Sequence, residues 1–344
     1  MALSSEQINL ARQHLDDCKR PMFFFDDDQD GLCSFLQLYK YKKKGRGFIV
    51  KTTPKITVDF LKHVKEYNPD KVFILDIAMI DQEFLDEARV PVVWIDHHGP
   101  FERRNVNYFN PRTSKNDNHP TSYLCYQIAR QEIWLAAVGC VADWFLPPFL
   151  DDFKKQFPDI IETDYKMPGD IIYNTKLGEL IKIFSFVLKG KSSDVTKNIN
   201  ILTRIKTPYE ILNQQTSQGK YILKKFRQVE KIYQPLIKEV LGNINETKDK
   251  FVHFIYQDDK TSFTSDLSNE AIYRNHDKII LIGREKNGEM KCSIRSTGLI
   301  LPPLVEKALE GLDGYGGGHE RACGLNIKKE HFDEFVERFR KMVD

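Results

Sequence analysis

Pro21-Met22-Phe23-Phe24-Phe25-Asp26-Asp27-Asp28-Gln29-Asp30-Gly31 decides the reading of this chain. Five apolar residues of strand length run directly into four aspartates within five positions. Leu32 to Tyr41 then follow with helical periodicity. The same grammar recurs downstream: Gly47–Val50, Lys71–Leu75 and Val90–Ile95 read as further strands, with a helix over Val58–Tyr67 between the first two. Continuous apolar strands alternating with helices predict a parallel sheet covered on both faces. An open sheet of this kind binds its ligands at the carboxyl ends of its strands. At those ends the sequence places Asp26, Asp28 and Asp30 after the first strand, Asp76 after the third and Asp96-His97-His98 after the fourth.

Such a collection of carboxylates repels itself unless cations neutralise it. Carboxylates select Mg²⁺ or Mn²⁺, and imidazole shifts the preference towards Mn²⁺. Taken singly, each element has an ordinary explanation: a solvated Asp-rich turn, a helix cap, two surface histidines. Asp143, read as lying inside the apolar helix Trp134–Ala142, is harder to explain away, because a buried charge needs a partner. Thr121 and Ser122 mark the start of another helix after Pro120.

The remainder of the chain of 344 residues divides by composition. Residues 165–250 hold 16 Lys and Arg against 8 Asp and Glu, a net +8 between a segment of −4 before it and one of −2 after it. Lys220, Lys224, Lys225, Arg227 and Lys231 lie in an amphipathic helical stretch and suit a polyanion. From Lys250 the pattern returns to strands: Phe251–Tyr256, Lys278–Ile282 and Lys291–Arg295. Asn287-Gly288 forms a hairpin turn between the last two. A glycine loop, Gly314–His319, precedes a final strand and a C-terminal helix. We expect domains at 1–165, 166–248 and 249–344. Six scattered cysteines without a CxxC pair argue against zinc fingers and disulfides. No long apolar run or leader-like segment is present, so a cytoplasmic chain with no membrane partner is expected.

The ordered motifs carry a resemblance. Asp96-His97-His98 resembles the motif that names the DHH phosphoesterases, and Asp26-Asp27-Asp28-Gln29-Asp30-Gly31 has the DxDxDG form of RecJ-like members. Oligoribonuclease-like and pyrophosphatase-like members begin this motif with a histidine. Asp76 and Asp143 resemble the second and fourth motifs. Gly317-Gly318-His319 with Ala322 and Gly324, and Ser293–Ser296, resemble the DHH-associated C-terminal domain.

The resemblance implies an α/β fold: a parallel-sheet catalytic domain, a helical connector and a smaller α/β C-terminal domain across a cleft. It implies two-metal hydrolysis by two divalent cations, Mn²⁺ ahead of Mg²⁺. Asp26 and Asp28 would hold one ion and Asp30, His97 and Asp143 the other, with Asp76 bridging. Asp96 would orient a histidine. His98, Arg295, Gly317, Gly318 and His319 would meet substrate phosphates. Asp76, Asp96, His97 and His98 are thus the expected catalytic group. Bacterial RecJ enzymes are longer and carry an added OB-type domain for which this chain has no room. The implied activity is a single-strand-specific exonuclease on DNA or RNA, with replication or repair proteins as partners. The alternatives are a phosphoesterase of short oligonucleotides, nucleotide bisphosphates or cyclic dinucleotides, and a non-catalytic replisome scaffold.

Overall fold

The computed structural model describes residues 2–51, 55–113, 117–257 and 261–343. The chain divides into two compact units, Met1–Phe226 and Arg227–Asp344, with the division inside the long helix Ser217–Glu246.

In the first unit, strands β1 (Pro21–Asp26), β2 (Arg46–Val50), β4 (Lys71–Leu75), β6 (Val92–Ile95) and β7 (Asn107–Phe109) form an all-parallel sheet in the order β2-β1-β4-β6-β7. A separate short pair joins β3 (Lys55–Ile56) to β5 (Met79–Ile80). β1 is an interior strand between β2 and β4, which explains why its residues are apolar without alternation. Phe24 enters one core layer with Val72, Ile74, Phe84 and Trp94. Phe23 and Phe25 point the other way and pack on Phe35 of the helix Gln29–Lys42, with ring centroids 5.5 and 4.6 Å away. Helices Thr121–Ala129 and Ile133–Ala142 complete that layer. The chain leaves β1 for β2 on one side and reaches β4 on the other, so the switch point of the sheet lies between β1 and β4.

The second unit holds β8 (Phe251–Tyr256), β9 (Ile279–Lys286), β10 (Glu289–Ser296), β11 (Gly314–His319) and β12 (Ala322–Lys328), in the order β11-β12-β10-β9-β8. Only the β8–β9 pair is parallel. Helices Leu301–Leu309 and Lys329–Val343 bury one face around Phe251, Leu281, Ile294, Leu325 and Phe335. The expected hairpin turn is present, with Asn287 and Gly288 at φ 55° and 76°.

Three expectations change. The glycine stretch Gly314–His319 is not a loop but the edge strand β11. A Cβ on Gly314 would lie 2.9 Å from the Asn326 carbonyl oxygen, and one on Gly316 2.8 Å from Val305. Glycine therefore lets this strand close on its neighbours. Asp143 is not within the helix but caps its C-terminus, because Trp144 turns to φ 57° ahead of Pro147-Pro148. The three-residue β7, too short and too polar to stand out in the sequence, is an additional strand. All six cysteines are buried and free. No helix among the described residues is long and apolar enough to cross a membrane.

Candidate metal centre

The strand register brings the acids together. Phe25 pairs with Leu75 and Leu75 with Ile95, so Asp26, Asp76 and Asp96 follow in a row at the carboxyl ends of adjacent strands. The row is locked by backbone hydrogen bonds: Asp76 N donates to Ile95 O at 3.0 Å, and Asp96 N to Phe109 O at 3.1 Å. Asp76 itself sits at φ 60°, a region that residues with a Cβ rarely adopt, and is 1% exposed. Backbone strain of this kind concentrates at functional sites.

The turn after β1 is shaped by Gly31. A Cβ there would stand 2.7 and 2.8 Å from the backbone N and O of Asp26, so only glycine lets the helix begin against the strand end. Asp28 is the N-cap, its carboxylate accepting from Gly31 N at 2.9 Å. Asp30, in the first turn of that helix, is 2% exposed and accepts from Thr121 N and Ser122 N at 2.7 and 2.9 Å. It therefore lies on the positive end of the helix Thr121–Ala129. Thr121 Oγ1 also donates to Asp76 at 3.0 Å. Gly31→Ala is expected to lower stability by about 1–3 kcal/mol through overpacking and to weaken Mn²⁺ binding by displacing Asp26. Denaturant unfolding and metal titration check both. Unchanged values for both would show that the turn tolerates a side chain.

His97 Nε2 lies 3.5 Å from Asp76 and 3.8 Å from Asp143. Asp96 is fully buried. It accepts from His98 Nδ1 at 2.8 Å, His98 N at 3.1 Å, Asn110 at 3.3 Å and Tyr108 at 3.4 Å. The histidine that Asp96 orients is thus His98. Among the described residues, three sets of donor atoms each fall within 4.8 Å: Asp26, Asp28 and Asp76; Asp30, His97 and Asp143; Asp76, His97 and His98. Asp76 belongs to two of these sets.

Electrostatics argue for cations. Burial first, then the neighbouring Asp28, pushes Asp26 up to about 8 and Asp30 up to about 7. Burial and the surrounding acids hold Asp76 and Asp143 well above the usual carboxylate range. Burial alone would lower His98, but its hydrogen bond to Asp96 and the charges of Asp96, Asp143 and Asp26 raise it to about 9. Asp143 also caps the negative end of its helix, where a carboxylate is unfavourable without a positive partner. Oxygen donors with a minority of imidazole fit Mg²⁺ or Mn²⁺.

Several contributors have no signature in the sequence. Tyr108 and Asn110 hold Asp96 from β7 and its exit, Thr121 and Ser122 hold Asp76 and Asp30, and Arg112 lowers Asp143 through its charge. Lys51 and Lys189 act likewise on Asp27, which burial pushes up to about 6.

The other expected residues belong to the second unit. His319 and Arg295 both pair with Ala322, so they lie in one row across β11, β12 and β10. Arg295 is pinned there, donating to Asn269 at 2.6 Å and to the carbonyls of Ile294 and Cys323 at 2.9 and 3.3 Å. Gly318 takes φ 147°.

Comparison with known proteins agrees with this architecture. The chain is similar over 99% of its length to Thermus thermophilus RecJ in complex with Mn²⁺, at 15% identity and a TM-score of 0.70, and spans 55% of that longer protein. It is also similar to an exonuclease RecJ bound to manganese, at 16% identity and a TM-score of 0.63, covering 99% of this chain and 95% of the other. No curated protein matches in sequence. The DHH family N-terminal domain matches residues 22–144 and the DHHA1 domain residues 250–344. With both family domains in place on a RecJ-like fold, the chain belongs to the DHH superfamily of phosphoesterases.

Proposed function

We propose that this chain is a divalent-metal-dependent phosphodiesterase that degrades single-stranded nucleic acid as an exonuclease. The observation that carries the reading is the cluster of six aspartates and two histidines at the switch point of the sheet. In it, Asp76 belongs to two of the three-ligand sets found among the described residues. Asp26, Asp28 and Asp76 would hold one ion and Asp30, His97 and Asp143 a second, with Asp76 common to both and Mn²⁺ the favoured metal. When bound, such ions supply positive charge against the scissile phosphate and a water acidified for attack near neutral pH. Asp96 orients His98. With Nδ1 donating to Asp96, donation to a phosphate oxygen falls to His98 Nε2. Arg295, His319 and the backbone of Gly317 and Gly318 are proposed to receive substrate phosphates.

The choice of nucleic acid is supported by the RecJ-like fold and by the basic helix. Lys220, Lys224, Arg227 and Lys231 are exposed on Ser217–Glu246, whereas Lys225 is half-buried with its ammonium 3.8 Å from Asp194. In the second unit Arg227, Lys231 and Lys238 line a groove.

The test is Mn²⁺-dependent cleavage of 5′-labelled DNA and RNA strands, long and very short, with Asp76→Ala as control. Degradation of long single strands that disappears in the variant is the expected result, and the label gives the polarity. Cleavage confined to strands of a few nucleotides would replace the reading with a short-oligonucleotide phosphodiesterase. No cleavage with any divalent metal would replace it with a scaffold.

A further inference from the structure

The helix Ile133–Ala142 ends in a complete Schellman motif. Trp144 N donates to Val141 O at 3.1 Å and Phe145 N to Cys140 O at 2.9 Å, with Asp143 as the C-cap. The residue after the cap has to turn left-handed, and Trp144 does so at φ 57°. Glycine usually fills this position, because it has no Cβ to clash. A bulky side chain is disfavoured in that region, so a tryptophan here works against the local fold. The indole is also 42% exposed, whereas the other two tryptophans of the chain, Trp94 and Trp134, are 0% and 1% exposed. Neither backbone conformation nor burial accounts for a tryptophan at this helix end.

Its position accounts for it. Asp143, immediately before it, shares a donor set with Asp30 and His97 and lies 3.8 Å from His97 Nε2. The neighbour on the other side is anchored: the Phe145 ring centroid is 4.7 Å from that of His119 and 6.0 Å from that of Tyr123. Trp144 is thus held between two fixed residues beside the proposed metal centre. Phe101, three positions after His98 and 39% exposed, makes the contrast, since it already carries the Arg103 guanidinium 5.5 Å from its ring centroid. Among the described residues, no ring or cation lies against the Trp144 indole.

We infer that the indole of Trp144 is a stacking platform for the nucleobase next to the scissile phosphate. The inference rests on reading the chain as a nucleic-acid phosphodiesterase, and it adds a base contact to the phosphate contacts of that site. A phosphate held by the ions leaves its base to one side, and an indole one residue from an ion ligand is within reach of it. Every base has a π-face, so such a platform orients a strand without selecting its sequence. Its rigid backbone means that little freedom is lost when the base arrives.

The experiment titrates the full Mn²⁺-loaded chain with a short thymidine strand whose phosphorothioate linkages resist hydrolysis. A strand of the same length and linkages without bases is the comparison. Affinity is read by calorimetry and the indole by its own fluorescence, since Trp144 is the one exposed tryptophan. The thymidine strand should bind more tightly, by a factor on the order of ten, the scale of a single base–aromatic stack. It should also quench the emission and shield it from acrylamide. Trp144→Phe should keep most of the affinity difference, and Trp144→Ala and Trp144→Gly should abolish it without lowering the thermal unfolding midpoint. Equal affinity for the two strands, unchanged emission on binding, or a difference that survives Trp144→Ala would each overturn the platform. A difference lost only in variants whose unfolding midpoint also falls would assign Trp144 to the fold instead. Hydrolysis of unmodified strands on the same samples separates the two claims. A chain that hydrolyses strands without a Trp144-dependent preference loses only the platform. One that shows the preference yet hydrolyses nothing loses only the nuclease reading. In the hydrolysing case Trp144→Ala should raise KM and leave kcat in place.

Discussion

Asp76→Asn should leave a folded protein whose phosphodiesterase rate has dropped on the order of a thousandfold. Metal charge at a phosphoryl centre supplies several kcal/mol of transition-state stabilisation, and each 1.4 kcal/mol is a factor of ten in rate. Asp76 belongs to two of the three ligand sets and is the proposed shared ligand of the two ions, so its loss would disturb both at once. Stability should move in the opposite direction. Asp76 is buried among Asp30, Asp28, Asp26 and Asp96, all of which disfavour its charge. An amide removes that repulsion and still accepts from Thr121 Oγ1. Asparagine is also among the few residues at ease at φ 60°. Single-turnover hydrolysis and thermal unfolding of metal-free protein at pH 8 test the pair of expectations. Loss of activity together with a raised midpoint is the expected result. A variant that keeps a tenth of the wild-type rate would remove Asp76 from the centre of the site.

Metal-free protein should lose stability as pH rises from about 4 to about 8, the reverse of ordinary acid denaturation. Asp26 and Asp30 titrate near 8 and 7 in the folded chain and near 3.8 when exposed. Between those values the folded state binds more protons than the unfolded state, so raising the pH favours unfolding. His98, raised to about 9 from 6.5, contributes with the same sign at the upper end. Divalent ions bind the deprotonated carboxylates and reverse the trend. Saturating Mn²⁺ should raise the unfolding midpoint more at pH 8 than at pH 6, and a ligand at a thousand times its Kd adds about 4 kcal/mol. Differential scanning calorimetry with and without Mn²⁺ at the two pH values decides it. A metal-induced shift that is larger at pH 6 would mean that the buried acids do not hold the ion.

How much of this was legible in the chain differs from element to element. β1 could be read because a central parallel strand is apolar on both faces, and Phe23, Phe24 and Phe25 have no other use. β7 was missed because three residues of mixed polarity carry no period, and its contribution to the site, Asn110 beneath Asp96, went with it. Gly314–His319 read as a loop because glycine usually marks turns. Here it marks a strand whose neighbours leave no space for a Cβ on one face.

The sequence by itself determined the α/β class, the strands that deliver acids, and the set of residue types that demands cations. Those follow from local hydrophobic periodicity and from the chemistry of side chains. Only the tertiary structure decided which histidine Asp96 holds, that Thr121 and Ser122 clasp Asp30, and that Asp143 stands at a helix end. These depend on strand register and on contacts between residues as much as 92 positions apart. Composition and periodicity do not encode such contacts, because many packings satisfy the same local pattern and only one satisfies the buried polar groups.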